Sequence, residues 1–234
     1  MINAFEVLFA IVGLFIPILI IGGIVYFILR LRGGIAIRFS YHDALRVYFY
    51  VMLLASLGLG TLGGASTLIK VGFGEVVGKE FSYGKVYEEH RSIQEHPDQQ
   101  PYSGDAEDGD SSLDEKIEFA MKTSLINGVS LGSVGLFLWL VHFFGRRWVE
   151  TKDQDPDLLG RLYLIGALTI FAIITIFSLS ESIPETLHYA LLDIGHAEES
   201  PGESLSIAIV ALPIWLFYLV SAVQNIKSTS VKDS

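Results

Sequence analysis

The chain has 234 residues, 51% hydrophobic and 18% charged, and a mean hydropathy of +0.48, which is more apolar than a soluble domain. A net charge of −10 with no nucleic-acid motif argues against a nucleic-acid partner. There is no cysteine, which excludes disulfides, thiolate metal sites and palmitoyl attachment to this chain.

Crossing a hydrocarbon core takes roughly 20 apolar residues. Five stretches qualify: Phe5 to Leu29, Tyr48 to Ile69, Ser124 to Phe144, Leu162 to Leu179 and Leu205 to Val223. The expected fold is therefore all-α, an integral membrane bundle of five transmembrane helices. The first stretch has Glu6 and no Lys or Arg before it, and its apolar run is too long for a signal peptide. It reads as a retained span. Pro17 at its middle, followed by Gly22 and Gly23, predicts a kink.

The second stretch has Gly60 and Gly64 in GxxxG spacing; the third has Ser124, Gly128 and Gly132 at intervals of four. Such strips let helix backbones approach closely in lipid. Each is expected to be a packing face, against the other within the bundle or against a second chain. Between them lies an outer segment whose first half, Glu75 to Ser92, reads as an ordered hairpin or surface helix. Its second half, His96 to Ser112, is rich in Pro, Gly, Ser and acid. The run DAEDGD there is not an EF-hand: counting back from Gly109, Ala106 and Gly104 fall where oxygen ligands belong. Ser112-Leu-Asp-Glu115 is a capping box, after which helical character runs to Trp148, a rod of about 50 Å at 1.5 Å per residue. It should project several turns beyond the bilayer.

The fourth stretch ends in SLSESIPETLHYALLDIGHAEES. Glu185 with His188, and Asp193 with His196, form two E/D-x-x-H pairs, the spacing used by metal-binding helices. Both pairs sit on one segment, and Ser182-Ile-Pro-Glu185 also reads as a capping box, so they stand as metal candidates while no metal or cofactor is expected. Ser200-Pro-Gly-Glu203 repeats the capping pattern. Lys70 and Glu181 each lie at the outer end of an apolar run and are candidates for an ion pair or a pore position, Lys70 with Glu181 or Glu185 if the repeated helices are neighbours; the expectation is that Lys70 snorkels to the outer interface and that Glu181 lies in water. His142 is the only histidine within a span, which leaves no opposed ligand for haem in this chain.

Arg46 to Gly72 and Arg161 to Leu187 align without a gap, Arg46 on Arg161 and Tyr48 on Tyr163, each preceded by an apolar run ending in arginines. This predicts a parallel duplication of a helix pair, with one extra helix. The expected divisions are 1–72, first pair; 73–122, acidic outer loop; 123–187, second pair; and 188–234, outer loop, fifth span and tail. The Arg-x-Tyr starts resemble an uncharacterised family of bacterial and archaeal multi-helix membrane domains. The resemblance implies a prokaryotic membrane bundle and carries no activity with it.

Of the 16 Lys and Arg, ten fall in the two short loops after the first and third spans and in the tail. The positive-inside rule puts these in the cytoplasm. The expected topology is a multi-pass protein of a prokaryotic plasma membrane, N-terminus outside and C-terminus cytoplasmic. Twenty of the 26 acids then lie outside. With no nucleophile elbow, phosphate loop or HExxH, an enzyme is not expected. The chain reads as a protein that acts by assembly among membrane lipids, as a homo-oligomer or an accessory subunit of a membrane complex. The alternative is an ion channel or small-solute transporter with an acidic vestibule.

Overall fold

A computed structural model describes residues 41–95, 112–149, 158–191 and 200–232, and every regular element among them is a helix. The chain divides into two compact units, Met1–Ala44 and Leu45–Ser234. The expected first span, with Pro17, lies outside the described residues, as do DAEDGD, Asp193 and His196. The elements are α1 (Tyr41–Gly58), a π-helical segment (Leu59–Ala65), α2 (Ser66–Val76), α3 (Lys79–Glu95), α4 (Leu113–Val149), α5 (Leu158–Leu191) and α6 (Pro201–Lys232). Four stretches are long and apolar enough to cross a membrane: Ala44–Val76, Leu113–Val149, Leu159–Leu191 and Pro201–Asn225.

The first of these packs antiparallel on α4 along a seam of glycines. Gly60 lies against Gly135, Gly64 against Gly132, and Leu68 against Gly128. A Cβ built at Gly64 would collide with the backbone of Gly132, and one at Gly135 with the backbone of Gly60. Only glycine permits that approach, which gains dispersion contact where lipid removes the hydrophobic drive. The π-helical segment covers this same stretch. At its end the Ser66 amide bonds the Thr61 carbonyl, five residues back. Its widened turns are lined by hydroxyls: Thr61 Oγ1 donates to the Leu57 carbonyl at 2.6 Å and Thr67 Oγ1 to the Gly63 carbonyl at 2.6 Å, while Ser66 Oγ donates to the Leu62 carbonyl. Inside a membrane those carbonyls have no water to turn to.

α2 ends at Gly78, whose φ of +148° suits a residue without a side chain and whose amide bonds the Phe73 carbonyl at 3.2 Å. The reversal lays α3 back over the outer turns of α4. Tyr83 of α3 closes on Ile117 and Met121 of α4, with Val86, Tyr87 and Leu113 around them. Thus the projecting end of α4, expected from its length, is covered on one side by a surface helix. Its start is the capping box read from the sequence: the Ser112 amide bonds Glu115 Oε2 at 3.1 Å, and the Glu115 amide reaches Ser112 Oγ at 3.4 Å.

α5 and α6 form an antiparallel pair, joined at one end by the Tyr163 and Tyr218 hydroxyls, 2.9 Å apart, and at the other by Ser204 Oγ donating to Glu185 Oε2 at 2.7 Å. Ala167, Phe171, Ala211 and Tyr218 are their shared core, onto which Leu54, Leu57 and Leu62 of the first span pack. The helix start expected at Ser182 does not occur. α5 runs through Pro184 to Leu191, and the Ser182 hydroxyl is buried rather than capping. Proline removes only one helix bond, and Ser180, whose carbonyl is the one released, is exposed at the outer end.

Gly135→Ala is expected to part the seam and cost about 1–3 kcal/mol, as overpacking does. Gly58→Ala, with no atom within 4 Å of the added carbon, should cost nothing. Thermal unfolding of the two variants in one detergent checks the contrast.

Candidate functional site

A polar cluster lies where α2, α3 and α6 meet, at the end of the bundle away from Arg146 and Arg147. Lys70 of α2 places its ammonium 3.0 Å from Glu203 Oε2, and Lys85 of α3 approaches the same oxygen at 3.6 Å. The Lys70 and Glu203 side chains retain only 20% and 31% of their exposure, so their attraction is less screened than a surface pair's. Lys70 also stands 5.4 Å from the centre of the Tyr83 ring. Burial pushes the Tyr83 phenol above its usual range, the Glu75 carboxylate adds to the rise, and the neighbouring Ser124 hydroxyl partly offsets it.

Why the cluster forms is readable locally. Gly202, in the first turn of α6, abuts Ser82 of α3: a Cβ there would come within 2.5 Å of Ser82 Oγ. This close passage brings the Lys85 amide to Ser200 Oγ at 3.2 Å. The Ser200 carbonyl, not its side chain, takes the Glu203 amide at 2.9 Å, which leaves the Glu203 carboxylate for the lysines. The expected capping box is therefore absent: the Ser200 hydroxyl and the Glu203 carboxylate are both engaged elsewhere. Tyr83 itself leaves helical geometry, at φ −127° and ψ 28°, where α3 bends around this contact.

Lys70 meets neither Glu181 nor Glu185, nor does it simply snorkel into water; its partner is Glu203. Glu181 is exposed, and Glu185 is engaged by Ser204. The physical reason is the position of α6, which packs against α2 and α3 and so presents its own first-turn acid to Lys70. Of the candidate metal ligands, Glu185 carries that hydrogen bond and His188 is exposed at the end of α5. Among the described residues no three of His, Cys, Asp or Glu gather closely enough to hold a metal ion.

Of the expected packing residues, Gly60, Gly64, Gly128 and Gly132 all lie on the seam, and Ser124 sits one turn beyond it, half-buried beside Tyr83. His142 is buried lower in α4. Its Nδ1 donates to the Leu138 carbonyl, which can only accept, at 2.7 Å, and its Nε2 lies 3.2 Å from the Tyr48 hydroxyl. Both ring nitrogens thereby have a partner. The Lys70, Lys85 and Glu203 cluster is hidden in the sequence because Glu203 also fits the pattern of a local cap. The available signal was an acid at a helix start with two lysines near the same membrane boundary.

No family model matches the chain, and comparison with curated proteins and with solved structures returns no match. The arrangement has no nucleophile poised beside a base; chemically it is a clamp that ties three helices through one carboxylate. Glu203→Gln should destabilise the protein by about 1–3 kcal/mol, less than a fully buried pair because both groups keep some water. Lys70→Met in the same background should add little. A double-mutant cycle on thermal unfolding, with coupling near zero as the adverse result, checks the assignment.

Proposed function

We propose that this is a membrane protein that acts by assembly, through the face of α4 turned away from the glycine seam. What carries the reading is a polar stripe in lipid-facing territory. Asn127, Ser130 and Ser133 are all exposed near the middle of α4, among exposed Val129, Val134, Leu136 and Phe137. Elsewhere in the spans, exposed hydroxyls turn back on their own helix, as Thr169 does to the Ile165 carbonyl and Ser221 to that of Phe217. The Asn127 carboxamide makes no such bond, whereas that of Asn225 donates to the Ser221 carbonyl at 3.0 Å. In hydrocarbon such groups draw helices together.

The glycine strips themselves are consumed inside the bundle, so they do not supply the contact. The reading is of a homo-oligomer or an accessory subunit. A channel or carrier finds less support, since the hydroxyls of Ser56, Thr61 and Thr175 each bond a carbonyl of their own helix. Orientation follows the charge distribution, with the Lys70, Lys85 and Glu203 clamp outside and the arginines Arg146, Arg147 and Arg161 in the cytoplasm.

The mass and protein content of the complex extracted from native membranes in mild detergent test the assembly. The expected result is more than one chain in a fixed ratio; a lone monomer would sink the proposal. Asn127→Leu should weaken the complex by about 1 kcal/mol, or about fivefold in dissociation constant. Because the chain has no cysteine, single cysteines at Gly109 and Ser228 report orientation cleanly. An impermeant maleimide added to whole cells should label the first and spare the second.

A further inference from the structure

At the basic end of the bundle α1, α4, α5 and α6 draw apart around a cleft of about 630 Å³. That is within the range of small-molecule sites, roughly 300–1,000 Å³. Its walls include Tyr50, Trp139, Tyr163, Phe217 and Tyr218, and its one charged lining residue is Arg146. The guanidinium of Arg146 lies 5.0 Å from the centre of the Tyr50 ring, which fixes it at the cleft wall. Trp139 and Phe143 stack at 5.0 Å, two turns and one turn along α4 from Arg146. Phe217 at the rim is 66% exposed, so the cleft opens on the apolar flank of the bundle and its occupant enters from the bilayer.

We propose that this cleft binds an anionic phospholipid of the cytoplasmic leaflet, its phosphate on Arg146 and an acyl chain along Trp139 and Phe217. Three observations converge on that occupant. The walls are aromatic and apolar for the chain, and a cation stands at one end for the head group. The Tyr163 and Tyr218 hydroxyls line the same cleft; they share one hydrogen bond, which leaves one O–H of the pair as a donor for an ester or phosphate oxygen. The positive-inside orientation places Arg146 at the leaflet where anionic lipids and basic pockets between helices meet. A water-soluble anion would leave the aromatic walls uncovered. The site lies on a different face of α4 from Asn127, Ser130 and Ser133, so it stands independently of the assembly reading.

The test uses the full chain with Trp148→Phe and Trp215→Phe, leaving Trp139 as the only tryptophan, reconstituted with brominated lipids that quench indole fluorescence. Brominated phosphatidylglycerol should reach half-maximal quenching at about fivefold lower mole fraction than brominated phosphatidylcholine, the effect of about one basic charge. Arg146→Gln should abolish the difference while leaving quenching by phosphatidylcholine unchanged, which also shows that the variant is folded. Arg146→Lys should restore part of it. Equal quenching by the two lipids in the parent protein, or a preference that survives Arg146→Gln, would overturn the proposal.

Discussion

Everything in this bundle depends on how closely two backbones can approach in a solvent that does not push them together. Lipid tails are as apolar as leucine, so helices in a membrane associate through packing and hydrogen bonds rather than through escape from water. The seam of Gly60 and Gly64 against Gly128, Gly132 and Gly135 meets that constraint by removing the side chains altogether. Its register sets the height of everything else. With α1–α2 and α4 aligned there, Leu68 reaches Gly128, Lys70 emerges at the outer boundary near Tyr83, and Tyr50 falls beside Arg146 at the other end.

Above the seam the environment changes and so does the chemistry that holds the chain. α3 covers the outer turns of α4 with Tyr83 over Ile117 and Met121, an ordinary hydrophobic contact available again once water is near. The Glu203 carboxylate then joins α2, α3 and α6 in one place. A carboxylate serving two ammonium groups is well suited to this boundary, where the groups are dry enough to attract and wet enough to avoid the full cost of burying charge. Below the seam the hydroxyls of Tyr163 and Tyr218 and the imidazole of His142 find partners within the bundle, as polar groups at membrane depth must.

The amino-acid sequence discloses the parts that follow from composition and local spacing. Apolar runs located the four spans found among the described residues, small residues at intervals of four located the faces that meet, and Ser112 with Glu115 located the start of a long helix. What it does not disclose is tertiary choice. Ser182-Ile-Pro-Glu185 carries the letters of a helix start, yet α5 continues through it because packing on α6 outweighs one missing backbone bond. Glu203 has the same local signature, but which carboxylate Lys70 meets depends on where α6 passes, and no spacing rule encodes that. The π-helical turns are equally silent: LGTLGGA shows a dearth of side chains, not a change of helical pitch. The cleft around Arg146 is assembled from four helices and has no contiguous trace in the chain.

The seam also carries a consequence for biosynthesis. α5 and α6 are consecutive and can pair as a hairpin soon after both are made. The two halves of the glycine seam are separated in the chain by the whole segment between α2 and α4, including α3, which must be synthesised before Gly135 exists to meet Gly60. Closure of such a non-local contact is slow relative to local pairing. During that interval the first half of the seam waits in the bilayer as an open strip of bare backbone, so it is the part of the nascent chain most exposed to capture by the wrong helix.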